Sequence, residues 1–177
     1  ATFEGMADDQ GRPLPSYQNL YQELASGGVG GIITGFVYIS PEGKAMQPGQ
    51  AGMDNEEKID CFLPVTKEIH RYGSKIFLQL AHTGRQTRKV NTGFDVVGAS
   101  NKKSHYFGGS PRELSTKEVY NIARRFAVAA SYAQRAGFDG VQVHAAHGYL
   151  IHQFILPFIN QRKDEFGIDG ESGLGTK

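Results

Sequence analysis

Three times along this chain a helical stretch ends at glycine and hands over, within a few residues, to a short β-rich run, and no other feature narrows the fold as much. The first is "SYQNLYQELAS" (16–26), with Leu20 and Leu24 at helical spacing and Tyr17 and Tyr21 beside them. Gly27 and Gly28 stop it, and "VGGIIT" (29–34) reads as a buried strand. The second spans about 56–72, with Ile59, Phe62, Leu63 and Ile69 as its inner stripe. Gly73 ends it before the strand "KIFLQL" (75–80). The third opens on Ser115 with Glu118 three residues on, the pattern of a capping box. It runs through Ala123, Phe126, Ala127, Ala130 and Ala133 to Gly137, ahead of the strand "GVQVH" (140–144).

Helix–strand units in succession predict an α/β protein with parallel strands. The segments before each strand are short and those after it long and polar. That asymmetry belongs to a TIM (β/α)8 barrel, whose active site is built from loops at the strands' C-terminal ends. An open doubly wound sheet is the alternative, but no GxGxxG follows any of the strands, and "GGVGG" (27–31) lies before its strand. A full barrel needs about 250 residues. The expectation is therefore the N-terminal half of one over 1–167, with 168–177 an unassigned tail.

Composition removes several function classes. Lys and Arg number 19 against 18 for Asp and Glu, so nothing in the charge favours nucleic acid or an anionic membrane. The one cysteine, Cys61, excludes an internal disulfide framework; it reads as a packing residue beside Phe62 and fits the cytoplasm. No apolar run approaches the roughly 18–20 residues that cross a bilayer, and the start lacks the regions of a signal peptide. The chain begins without Met, so the true N-terminus is expected upstream.

The chemistry gathers at two strand exits. "VHAAHGYL" (143–150) sets His144 at the strand's last position, His147 in the turn and Tyr149 just beyond. Alternation sends residues i and i+3 to opposite faces of a strand, so both imidazoles meet one site only if the chain bends near 145–148. Three readings stand side by side: a metal site, for which no Asp, Glu or Cys lies close by; a structural pair at a barrel rim; and a ligand-binding pair. In the third, two imidazole N–H groups hold a carbonyl or enolate oxygen and Tyr149 is a general acid. That set suits an activated double bond but lacks a reductant. "FLQLAHTGRQT" (77–87) places Gln79 at the other exit, an amide able to read the edge of a planar heterocycle. His82 and Arg85 read as loop supports, Arg85 through salt bridges. His70, His105 and His152 read as structural or surface groups, and Lys102 and Lys103 as a solvated loop.

Together these segments resemble one family. "GFDGVQVHAAHGYLIHQFILPFINQRKDEFG" (137–167) closely resembles the old yellow enzyme family of FMN-dependent NADH:flavin oxidoreductases, "IFLQLAHTGRQ" (76–86) its third-strand segment and "GGIITGFVYISPEG" (30–43) its second. The resemblance implies a TIM barrel with FMN at its C-terminal mouth. NADH or NADPH would reduce the flavin, which passes hydride to the β-carbon of an α,β-unsaturated carbonyl compound. The family's paired oxygen-holding donors, His with His or Asn three residues on, fall on His144 and His147, and its proton donor on Tyr149. Its flavin contacts fall on Gln79, on Thr2, on the backbone of Ala1, and on Phe36, where a backbone amide approaches the flavin. The family's later arginine and phosphate-holding loops would lie beyond Lys177, as would any iron–sulfur motif.

The partner expected is a small-molecule substrate, with no nucleic acid and no membrane, and a homo-oligomer is left open. Two other functions remain at this stage. One is a non-catalytic half-barrel that serves binding or assembly. The other is a metal-dependent barrel hydrolase using His144 and His147.

Overall fold

The computed structural model describes residues 2–45 and 47–168. The backbone contact assigned to Ala1, and all of the 168–177 tail except Ile168, fall outside them. In chain order the elements are α1 (Pro15–Ser26), β1 (Gly31–Tyr38), a single 3-10 turn (Pro41–Gly43), α2 (Lys58–Arg71) and β2 (Lys75–Ala81). There follow α3 (Lys89–Thr92), β3 (Val97–Gly98), β4 (Arg112–Glu113), α4 (Thr116–Arg135), β5 (Gly140–Val143) and α5 (Leu150–Ile155). The main sheet has the order β1-β2-β5, both pairs parallel. The short strands β3 and β4 pair separately within the long connection from β2 to α4.

The three helix-to-strand connections use one device. Gly28 (φ 88°), Gly73 (φ 77°) and Gly137 (φ 85°) each take the left-handed conformation just past a helix. Their N–H groups donate to the carbonyls of Ala25, His70 and Gln134. A residue with a Cβ would be strained there, which is why glycine marks each unit so legibly. At the start of α4, Ser115 accepts from the Glu118 N–H while the Glu118 carboxylate accepts from the Ser115 N–H, completing the capping box.

Helix-facing strand residues Ile32, Ile76, Leu78 and Leu80 are buried against the helices. Phe62, fully buried on α2, meets the rings of Tyr17 and Phe138 at 5.8 and 5.7 Å, joining two helices to the start of β5. Truncating such a residue costs about 3–5 kcal/mol. The opposite face of the sheet stacks Ile33, Phe77 and Gly140 in one cross-strand row and Phe36, Gln79 and Gln142 in the next. Ile33, in the first of these rows, is 51% exposed.

Several expectations need correction. The first strand does not stop at Thr34. It continues to Tyr38 past a register shift between Ile33 and Phe36. The buried stripe of α1 is Tyr17, Tyr21 and Ala25, whereas Leu24 is 44% exposed. On α4 the buried residues are Ile122, Ala129 and Ala133, while Ala123 and Ala127 face outward. Cys61 is half-buried rather than enclosed. Among the described residues no helix is long and apolar enough to cross a membrane.

Candidate active site

His144 leaves β5 at the mouth of the sheet, its backbone N–H still bonded to the Leu80 carbonyl at 2.9 Å, and it is 5% exposed. The bend required by the spacing is present. His147 has φ 57°, in the left-handed region, and Gly148 follows at φ 71°. The Tyr149 N–H closes the turn on the Ala146 carbonyl at 3.1 Å. The rings converge: His144 to His147 is 5.0 Å between centroids, His144 to Tyr149 4.7 Å and His147 to Tyr149 6.4 Å.

Hydrogen bonds assign the protons. The His144 Nδ1 accepts from the Ala146 N–H at 3.2 Å. A neutral ring with Nδ1 accepting carries its hydrogen on Nε2, which faces the His147 Nδ1 at 3.2 Å. His147 then carries its own hydrogen on Nε2, outward. The two imidazoles are thus in series here, and do not both aim at one point as the ligand-binding reading expects. Burial first, and then the His147 ring, lowers the His144 pKa to about 4, so it stays neutral near pH 7. Burial also raises the Tyr149 pKa, which keeps its phenol protonated.

Phe36 packs beside the triad, its ring 5.3 Å from Tyr149 and 6.0 Å from His144. Its backbone N–H donates to the Thr2 carbonyl at 3.1 Å. The amide that the resemblance assigns to a cofactor is therefore already engaged, and Phe36 meets the site through its ring. Phe3, Phe36, Gln86, Phe107 and Tyr149 line a cavity of about 210 Å³ in front of the triad. A larger polar cleft of about 430 Å³ adjoins it, with Asp8, Asp9, Lys44 and Gln50 in its wall. None of the triad lines that cleft.

Gln79 does not line the aromatic cavity. It sits beside Gln142, to which its Nε2 donates, one pleat repeat below His144 on the same face, or roughly 7 Å by strand rise. Its Oε1 is buried with no partner. Arg85 is buried and supports a loop as expected, but through the Lys102 and Lys103 carbonyls at 2.8 and 3.0 Å rather than through salt bridges. His82 is buried, accepts from the Gly84 N–H at 3.0 Å, and has its pKa lowered chiefly by burial. His70 pairs with Asp139 at the far end of the sheet, and the His152 Nδ1 accepts from the Gly148 N–H at 2.9 Å.

Sequence reasoning missed Gln153. It is fully buried on α5, and its Nε2 donates to the Gly148 carbonyl at 2.8 Å and the Thr83 carbonyl at 3.3 Å. One amide thereby ties the left-handed turn to the loop after β2. An amide four residues past Tyr149, inside the apolar run "YLIHQFIL", was the available signal.

Comparison with known proteins identifies the family and the fold. Residues 5–172 match the NADH:flavin oxidoreductase / NADH oxidase family. An NADH oxidase of Thermoanaerobacter brockii is 37% identical over 164 residues, which is 92% of this chain and 25% of that protein. An NADPH dehydrogenase of Bacillus subtilis is 36% identical over 160 residues, 90% of this chain and 46% of that protein. Among solved structures, the old yellow enzyme homologue from Zymomonas mobilis superposes with a TM-score of 0.87 at 32% identity, covering 97% of this chain and 50% of that one. Morphinone reductase in complex with tetrahydroNAD gives 0.88 at 27% identity and 51% of its chain. The chain thus spans from a quarter to about half the length of these relatives, and its sheet is part of a TIM barrel. It belongs to the NADH:flavin oxidoreductase / NADH oxidase family, the family of the old yellow enzymes.

Proposed function

We propose that this chain forms the substrate-holding part, and one edge of the flavin site, of an FMN-dependent oxidoreductase that passes hydride from NADH or NADPH to the activated C=C bond of an α,β-unsaturated carbonyl compound. The observation that carries this reading is the convergence of His144, His147 and Tyr149 at the mouth, above the buried and unpartnered Gln79 Oε1. A lone buried acceptor costs free energy unless a donor arrives from a ligand. The edge of a flavin carries such a donor beside acceptors, and an amide complements both. Gln79 and the Thr2 segment would hold the group, and Phe36 would pack against it with its ring. When bound, FMN supplies the hydride, drawn from the nicotinamide, that the protein's own groups lack.

The remaining steps belong to this chain. The His147 Nε2–H donates to the carbonyl oxygen of the substrate. As negative charge grows on that oxygen, it competes with the His147 Nδ1 for the His144 Nε2–H and draws in a second donor. The His144 ring, kept neutral chiefly by burial, donates without giving up a proton. Tyr149, held as the phenol by burial, gives its proton to the α-carbon as hydride reaches the β-carbon. The Phe3, Phe36 and Phe107 rings keep the cavity apolar, which strengthens both hydrogen bonds.

Tyr149→Phe tests this in the intact protein by rapid kinetics of the separated half-reactions. Oxidation of the reduced flavin by an enone is expected to slow about 10²-fold or more, with flavin reduction by NAD(P)H within about twofold of wild type. Equal losses in both would make Tyr149 a structural residue. The hydrolase reading finds no ligand set, since nowhere among the described residues do three His, Cys, Asp or Glu side chains gather. The assembly-module reading leaves the gathering of three polar rings at one strand exit unexplained.

A further inference from the structure

The register shift in β1 leaves Thr34 and Gly35 outside the ladder to β2. Thr34 is satisfied sideways: its Oγ1 accepts from the Gln79 N–H at 3.1 Å and donates to the Gly35 carbonyl at 2.9 Å. The Gly35 N–H is satisfied from far away in sequence. It donates to the Glu4 Oε1 at 2.7 Å and to the Tyr21 hydroxyl oxygen at 2.9 Å, while the Tyr21 hydroxyl donates to the same carboxylate. Gly35 does not adopt a left-handed backbone, so its conformation makes no demand for glycine. A Cβ at this position would instead land on the Glu4 carboxylate. The missing side chain is a notch, and Glu4 fills it.

One residue on, the Phe36 N–H donates to the Thr2 carbonyl, and the Phe36 ring lies 5.9 Å from that of Phe3. Residues 2–4 are thus stitched to the bulge at both ends. Through the Thr34 hydroxyl, the same bulge holds the backbone of Gln79. The Thr2 segment and Gln79, both assigned above to the flavin, are thus connected through the bulge to one carboxylate.

We propose that Glu4 is a positioning residue for the flavin site: seated in the Gly35 notch, it clamps the Thr2–Phe3 segment to the β1 bulge and so sets where Thr2 and Gln79 present themselves. This rests on the reading of the site as flavin-binding. The device is a coupled pair, an acid at position 4 and no side chain at position 35.

The test titrates FMN into the flavin-free intact protein, followed by flavin fluorescence, with thermal unfolding measured alongside on wild type, Glu4→Ala, Glu4→Gln, Gly35→Ala and the Glu4→Ala/Gly35→Ala double variant. Glu4→Ala and Gly35→Ala are each expected to weaken FMN about tenfold, the scale of one lost charge-assisted hydrogen bond. Glu4→Gln keeps an acceptor for the Gly35 N–H and stays within about threefold of wild type. In the double variant the new methyl no longer meets a carboxylate, so the melting temperature recovers relative to Gly35→Ala while FMN binding stays weak. Recovery of FMN binding together with stability, or wild-type affinity in Glu4→Ala, would overturn the proposal, because Glu4 would then serve the fold alone. A Glu4→Gln variant as weak as Glu4→Ala would overturn it too, since charge rather than position would matter. Should Glu4→Ala not fold, Gly35→Ala carries the test, and wild-type FMN affinity in it would overturn the proposal. A wild-type protein that takes up no FMN would defeat the functional reading itself, an outcome distinct from all of these.

Discussion

The two ends of the sheet are built to opposite rules. At the end where strands begin, the connections are short (27–30, 72–74 and 136–139) and their polar groups are paired. Asp139 there accepts from the Lys75 Nζ at 2.8 Å, the Ile76 N–H at 2.9 Å and the His70 Nε2 at 2.8 Å. The Thr66 hydroxyl closes on the Ala136 carbonyl at 2.7 Å. At the end where strands finish, the connections run over 39–57, 82–115 and 144–149, and buried atoms go unmatched. Ser40, Gln79, His82, Arg85, Thr87 and Gln153 each keep a buried polar atom without a partner. Native folds pair such atoms nearly everywhere, and these exceptions lie toward the end at which a barrel of this kind builds its site.

If that division is real, substitutions at the two ends separate stability from binding. At the base, Asp139→Ala strips three donors of their acceptor. Unfolding free energy should fall by about 2 kcal/mol, with FMN affinity within about twofold of wild type. Chemical denaturation alongside FMN titration reads both, and a parallel loss of affinity would break the comparison. Gln79→Met should do the reverse: FMN binding about tenfold weaker, from one or two lost hydrogen bonds, with stability unchanged or slightly raised because an unmatched buried acceptor is gone. A destabilised Gln79→Met with normal flavin affinity would make that amide part of the scaffold.

The smallest effect concerns pH. The His144 pKa lies at about 4, below its ordinary 6.5, so its contribution to stability is complete above pH 6.5 and is lost as pH falls through about 4. His82, lowered chiefly by burial, works in the same direction. Burial pushes the Asp139 carboxyl up, but its bonds to Lys75, Ile76 and His70 outweigh this and hold it well below the usual carboxylate range. Its contribution starts to fade only near pH 3.8, the ordinary aspartate value, and below. Acidification should therefore loosen the mouth before the base. Amide exchange at pH 7, 5.5 and 4.5 would sharpen the contrast if residues 144–149 lose protection first, and a uniform loss would erase it.

Legibility followed the same division. The base was readable because each connection turns on a glycine whose conformation few other residues adopt, so local sequence carries the whole reason for it. The His144–His147–Tyr149 group was readable for a similar cause, since its members lie within six residues. What escaped depends on partners far along the chain. Thr34–Gly35 reads as a strand's end because Glu4, the residue that completes the bulge, lies 31 positions away. On α1 both Leu20/Leu24 and Tyr17/Tyr21/Ala25 satisfy helical spacing, and the choice between them is made by Phe62 on another helix. The engagement of the Phe36 amide by Thr2 is equally invisible to pattern.

The backbone at residue 147 carries one more consequence. A φ of 57° is costly for most side chains and close to forbidden for β-branched ones, whereas His, Asn and Asp occupy that region several-fold more often than the rest. Of these, His and Asn are neutral at pH 7 and offer an N–H to a ligand. They are the same two residue types that the resemblance assigns to the second oxygen-holding position. The repertoire open to natural drift or to redesign at that place is thus narrowed by a torsion angle before any contact with substrate is weighed.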